Sequence, residues 1–83
     1  MIRDTIIGKI HHIFIEGFEV EEDLLKGEAK LGDDLGLDSL DAVDLVVALE
    51  REFGCQIPED TARSMACLQD IYDYVDQYLA QNA

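Results

Sequence analysis

The stretch Leu35-Gly36-Leu37-Asp38-Ser39-Leu40-Asp41 sets a serine between two aspartates where a glycine-bearing loop turns into a strongly periodic helix. On the first turn of that helix the hydroxyl lies beside backbone N–H groups that have no intrahelical partner and carry the positive end of the macrodipole. A phosphate ester on Ser39 would find its charge partly compensated there. Nucleophilic attack by the serine itself fits poorly, because it needs a general base within reach and donors for an oxyanion. Leu37 and Asp41 occupy the flanking positions of a G-x-S-x-G elbow, and the only histidines, His11 and His12, belong to another helix. Acidic neighbours also oppose a developing alkoxide. Ser39 therefore reads as an acceptor that another enzyme modifies.

The helix that carries Ser39 is expected to start at Asp38 as N-cap, with Asp41 completing an acidic capping box, and to end before Gly54. At about 100° per residue Ala42, Leu45, Val46, Leu49 and Phe53 share one arc and should face the core, with Leu40, Asp44, Val47 and Arg51 on the opposite side. Upstream, Ile2, Ile6, Ile10, Ile13 and Phe14 recur at helical spacing, with Ile7 and Ile15 widening the stripe. They predict a first helix over about residues 3–16, capped by Gly17, in which Gly8 costs roughly 1 kcal/mol. His11 and His12 project about 100° apart on it, too divergent to share a metal readily, and both are expected in solvent.

From Gly17 to Leu37 no period is sustained, so the segment reads as a long loop with a possible short helical turn over 21–26 and anchors among Phe18, Leu24, Leu25, Leu31 and Leu35. After Ile57-Pro58, a short third helix should start at Asp60 or Thr61 and end near Met65, with Ala62 and Met65 as its apolar contacts. A fourth helix over about 68–80 buries Leu68, Ile71, Tyr72, Val75 and Leu79, is flanked by Tyr74 and Tyr78, and keeps Asp70, Asp73 and Asp76 wet. The expected architecture is all-α: an irregular four-helix bundle with three longer helices, one short third helix and a long first connection.

The 83 residues are enough for a single domain spanning 1–83, one that buries only roughly 60–65 % of its unfolded surface and has no room for a large catalytic pocket. Six basic against 19 acidic residues give a net charge of −13, which argues against nucleic acid and for basic protein surfaces as partners. A hydrophobic content of 48 % is too high for a disordered acidic tail. Cys55 and Cys67 have neither metal-ligand nor redox spacing and read as reduced, semi-buried thiols. The N-terminal run, broken by Asp4 and Lys9, resembles neither a signal peptide nor a membrane span, so a cytoplasmic monomer without membrane insertion is expected.

The run from Leu35 to Phe53, followed by Ile57-Pro58 and by Leu68-x-Asp70-x-x-x-Tyr74-Val75, closely resembles the acyl carrier proteins of fatty-acid and polyketide synthesis. The resemblance covers about the last fifty residues, and the first helix matches in pattern alone. It implies that Ser39, flanked by Asp38 and Leu40, accepts 4'-phosphopantetheine from coenzyme A through a phosphopantetheinyl transferase. The terminal thiol then carries acyl intermediates as thioesters between other enzymes, and the carrier catalyses nothing and holds no metal. Leu40, Asp41, Asp44, Val47 and Arg51 form the face offered to acyl-loading and acyl-transfer enzymes with basic surface patches, and Asp33, Asp34 and Asp38 add acid on the approach. Transient handoff of this kind favours electrostatic steering. Leu45, Val46, Leu49, Phe53, Ile57, Ala62, Met65, Ile71, Tyr74 and Val75 are the candidate walls of an acyl pocket between the second, third and fourth helices.

Three departures from the carrier pattern point to a specialised carrier. Arg51 stands where these carriers usually have an acid, Cys67 stands where a threonine often caps the last helix, and the loop from Gly17 is slightly longer. A missing cap costs on the order of 1 kcal/mol and would leave that helix start frayed. Two readings from other classes remain: an unmodified acidic helical adaptor, and a binder of divalent cations on Asp33, Asp34, Asp38 and Asp41, whose order does not follow an EF-hand loop. Within the carrier class a peptidyl or aminoacyl carrier is the alternative, although such carriers more often lack this density of acid on the second helix. If Arg51 narrows the set of synthase partners, Arg51→Glu will raise turnover with a generic fatty-acid synthase set; equal activity of variant and parent would remove that role.

Overall fold

The computed structural model describes residues 2–81, which form α1 (Arg3–Phe18), a 3-10 turn (Glu22–Leu24), α2 (Ser39–Phe53), α3 (Glu59–Ser64) and α4 (Leu68–Gln81). The all-α expectation holds, and the described residues contain no strand beyond one isolated antiparallel bridge between Lys30 and Cys67. The apolar stripe of α1 explains the arrangement. Ile6, Ile10 and Phe14 are fully buried, and α1 packs against both α2 and α4. Leu45, Leu49 and Phe53 from α2 and Leu68, Ile71, Tyr72 and Val75 from α4 complete the core, whereas α3 contributes no buried residue. Full burial of such side chains is worth about 1.5–3 kcal/mol each.

α1 is also held at its edges by charge. Arg3 donates to Asp73 at 2.7 Å and to Asp76 at 3.1 Å on α4, and Lys9 reaches Glu52 on α2 at 3.2 Å. The hydrogen bond from Arg3, helped by one from Gln69, holds the Asp73 carboxyl below its ordinary range. Asp76 is half-buried, so it is less wet than its place in the pattern suggests.

Several local expectations are corrected. α1 does not stop at Gly17 but continues to Phe18, whose ring packs beside Phe14 with centroids 6.0 Å apart. The left-handed cap position therefore falls on Glu19 at φ 55°, whose N–H bonds the Phe14 carbonyl. Adding Phe18 to the core outweighs the cost of a non-glycine residue there, about 1–2 kcal/mol. Ile2 is 71 % exposed and lies off the buried stripe. α3 begins at Glu59, before the expected Asp60, because Pro58 with φ −59° is already set for a helix entry and its carbonyl accepts from Ala62. Within the long connection Leu25 and Leu35 are buried anchors, but Leu24 is 46 % exposed, since the 3-10 turn directs it outward as Leu25 turns in. Val20 and Ala29, not singled out from the sequence, are buried in its place.

The start of α4 is not frayed. The Asp70 carboxylate reaches back to accept from the Ala66 N–H at 2.8 Å and the Cys67 N–H at 3.3 Å. The next two donors go to the long connection, Leu68 N to Ala29 O at 3.1 Å and Gln69 N to Gly27 O at 2.8 Å. A Cβ at Gly27 would stand 2.7 Å from the Gln69 amide oxygen, the end of an exposed side chain that can swing aside, so the backbone approach itself does not demand glycine. Asp70, expected to be wet, is thus half-buried and engaged, and the cap comes from within the helix instead of from the residue before it. Cys55 and Cys67 are free thiols, the first buried and the second half-buried; burial pushes the Cys55 thiol pKa up.

His11 also departs from expectation. It is half-buried, its Nε2 lies 2.5 Å from the Tyr72 hydroxyl, and the rings are 5.8 Å apart; His12 alone stays exposed. Desolvation lowers the His11 pKa below 6.5, partly opposed by Glu22, and burial raises that of Tyr72, so the neutral pair is the favoured one. Below pH 6.5 the unfolded chain takes up a proton that the folded His11 resists, which makes the folded state lose stability as pH falls. Urea denaturation of the parent and of His11→Gln should show the parent's stability declining relative to the variant between pH 7.5 and 5.5. Asp70→Ala should lower stability by about 1 kcal/mol, a fall in Tm of about 4–8 °C in a thermal melt for a domain of this size.

Candidate functional site

Asp38 is the N-cap of α2 as expected, with its Oδ1 accepting from the Asp41 N–H at 2.9 Å while the Asp41 carboxylate accepts from the Asp38 N–H at 3.2 Å. This closed capping box makes Ser39 the first residue of the helix and leaves it exposed, its hydroxyl carrying no hydrogen bond to another described residue. Gly36, at φ 71°, supplies the left-handed turn that aims the loop into Asp38. At the far end Gly54, at φ 64°, closes α2 where the sequence placed its stop.

Three of the four acids singled out around this helix start are occupied as structural acceptors. Asp38 and Asp41 cap one another, and Asp34 accepts from the Lys30 N–H at 2.8 Å. Among the described residues no three His, Cys, Asp or Glu side chains are gathered to hold a metal ion. No helix of these residues is long and apolar enough to cross a membrane.

Two surfaces meet at Ser39. The first is the outer face of α2, where Leu40 is 77 % exposed and Val47 40 % exposed, with Asp44 and Arg51 exposed beside them and Asp41 half-buried. Val43, 61 % exposed, was not singled out from the sequence; it lies one turn beyond Leu40 and, like Val47, also borders the cleft described next. Arg51 has no ion-pair partner among the described residues. The acids on either side are engaged elsewhere, Glu50 with the Ile57 N–H at 2.9 Å and Glu52 with Lys9.

The second surface is a cleft of about 640 Å³ that begins at Asp38 and Ser39 and runs between α2 and α3 toward α4. Seven of the residues expected in a pocket line it: Leu45, Val46, Leu49, Ile57, Ala62, Met65 and Ile71. Phe53 and Val75 do not, being buried in the core that faces α1. Tyr74 is not a wall either; its hydroxyl donates to the Gln56 carbonyl at 2.6 Å and braces the segment between α2 and α3. Leu31, Gly32 and Leu37 from the long connection form an unanticipated wall. Ala42 was expected in the core and is instead exposed at the cleft. The six-residue α3 is too short to cover the first turn of α2, which leaves this part of the apolar arc open. No local sequence signal marks the connection as a wall, because only the bonds to α4 bring it there.

An exposed, unpartnered hydroxyl at a capped helix start, between an apolar cleft and an acid-rimmed apolar ridge, suits a covalently attached arm that swings between the protein and other enzymes. The chain matches the family model described as phosphopantetheine attachment site over residues 9–75, reaching back into α1 beyond the fifty residues in which the resemblance is strongest. The chain therefore belongs to the phosphopantetheine attachment family: it is a carrier protein, not an enzyme, bearing a covalent 4'-phosphopantetheine and working with phosphopantetheinyl transferases and synthase enzymes.

Proposed function

We propose that Ser39 is the attachment residue and that the protein, a single domain acting as a cytoplasmic monomer, carries acyl intermediates of fatty-acid, polyketide or related lipid synthesis. The observation that carries the assignment is the state of the two serines in the chain. Ser64 sits in the last turn of α3 with its hydroxyl donating to the Thr61 carbonyl at 2.7 Å, while Ser39 is exposed and uncommitted at the helix start. A phosphodiester on Ser39 gains from the unpaired N–H groups and the dipole of a 15-residue helix.

Acyl cargo is favoured over peptidyl cargo by the acid on and before α2 and by the apolar walls of the cleft, which offer an aliphatic chain a site out of water. The surface offered to partners is the ridge of Leu40, Val43 and Val47 with Asp41 and Asp44. A net charge of −13 steers it toward basic patches on loading and transfer enzymes, giving encounter rates that fall as salt rises. Arg51, lacking an internal partner, is the position where such an enzyme is asked for a different complement.

Incubation of the apo protein with coenzyme A and a broad-specificity phosphopantetheinyl transferase should add one arm, read by intact mass spectrometry. Ser39→Ala should abolish the gain and Ser64→Ala should leave it unchanged. Loading of Ser39→Ala at the parent rate would overturn the assignment, and an unmodified parent would favour an acidic adaptor.

A further inference from the structure

Three of the six bases, Arg3, Lys9 and Arg63, are held in ion pairs. Lys26 and Lys30 lie on the long connection, which leaves Arg51 as the one helical base with no ion pair among the described residues, in a chain of 19 acids. That isolation is built into the sequence. The positions three and four residues from it are Val47, Ala48, Gly54 and Cys55, none of them a carboxylate, so no pair can form one helical turn away. Its chain neighbours Glu50 and Glu52 are taken by the Ile57 N–H and by Lys9. The negative end of the helix dipole favours a cation in this last turn, which explains a base there but not the direction it faces. At about 100° per residue Leu40, Asp44, Val47 and Arg51 fall within one arc of about 60°, and all four are exposed. Asp44, like Arg51, makes no hydrogen bond or ion pair with another described residue.

The outer face of α2 therefore carries both signs. Leading away from Ser39 it presents an apolar, an acidic, an apolar and a basic side chain in turn, with Asp44 and Arg51 about 10 Å apart at 1.5 Å per residue, too far to pair with each other. A stripe of acid alone would let a basic patch slip along the helix by a turn at little cost. A base at the far end opposes that slip, because it would bring like charges together. We infer that the enzyme receiving this carrier's cargo docks on α2 through a surface of two signs, with a base facing Asp44 on the side of the entrance that takes the arm and a carboxylate facing Arg51 about 10 Å farther along. Apolar contacts for Leu40 and Val47 lie beside them. The net charge of −13 draws the enzyme in, and Arg51 sets the register that points Ser39 at the entrance. This rests on Ser39 as the arm-bearing residue and on the outer face of α2 as the surface offered to partners.

The test gives the apo protein, through a broad-specificity transferase, a pantetheine arm ending in a chloroacrylamide, which alkylates the active-site cysteine of a condensing enzyme with loss of chloride. Parent, Arg51→Gln, Arg51→Glu and Asp44→Asn are each mixed with the purified condensing enzymes of the source organism, and crosslinking rates are read from intact mass. With the enzyme that reacts fastest with the parent, Arg51→Gln and Asp44→Asn should react about two- to fivefold more slowly, the effect of one exposed charge pair, and Arg51→Glu more slowly still. The difference should shrink at high salt. Exchanging the enzyme's facing carboxylate for lysine should restore the rate of Arg51→Glu. If every enzyme of the set reacts with Arg51→Glu at least as fast as with the parent, the inference is overturned with the Ser39 assignment intact. A role for Arg51 confined to the helix end would lower the melting temperature of Arg51→Gln and leave all the rates equal, which also overturns it. Failure of the parent to take up the arm would remove both readings.

Discussion

Three backbone hydrogen bonds tie the long first connection to the start of α4: Leu31 N to Ala66 O at 3.0 Å, Leu68 N to Ala29 O at 3.1 Å and Gln69 N to Gly27 O at 2.8 Å. They solve two problems together. α4 begins with donors that no earlier turn can satisfy, and the connection carries backbone groups that would otherwise be left without partners near the core. Joining them fixes the path of the chain that runs on through Leu35 and Gly36 into Asp38. It also stands Leu31 and Leu37 on one side of the cleft. The position of the helix that presents Ser39 thus depends on a clasp remote from it in sequence.

A strongly acidic chain of this size must hold together against its own charge, and two of its six bases are placed where that matters. Arg3 and Lys9 tie α1 to α4 and to α2, the two helices it packs against. Asp38, Asp41 and Asp70 act as caps, so part of the negative charge satisfies helix N-termini and lies at the favourable end of their dipoles.

The apolar surface of α2 is divided by the same logic. Leu45, Leu49 and Phe53 are buried, yet Leu45 and Leu49 also reach the cleft. α3 contributes no buried residue, so it acts as a partial cover over space that the core does not fill. The result is a bundle closed on the side of α1 and partly open between α2 and α3.

Much of the site was legible in order along the chain. The capping box of Asp38 and Asp41, the stop at Gly54, the buried residues of α1 and the exposed Leu40 and Val47 follow from local chemistry and helical period, which act over a few residues and leave a pattern in the sequence. What depended on neighbours distant in the chain was not. Phe18 extends α1 because a core place exists for it, His11 is drawn against Tyr72, Asp70 supplies the cap that residue 67 lacks, and Ala42 stays exposed because α3 is short. By itself the sequence determined the helices, their faces and the serine at a helix start, since propensity, capping and periodicity are local. The wall that Leu31 and Leu37 add to the cleft and the path of the long connection were decided only in three dimensions, where backbone donors at the start of α4 found acceptors some forty residues earlier in the chain.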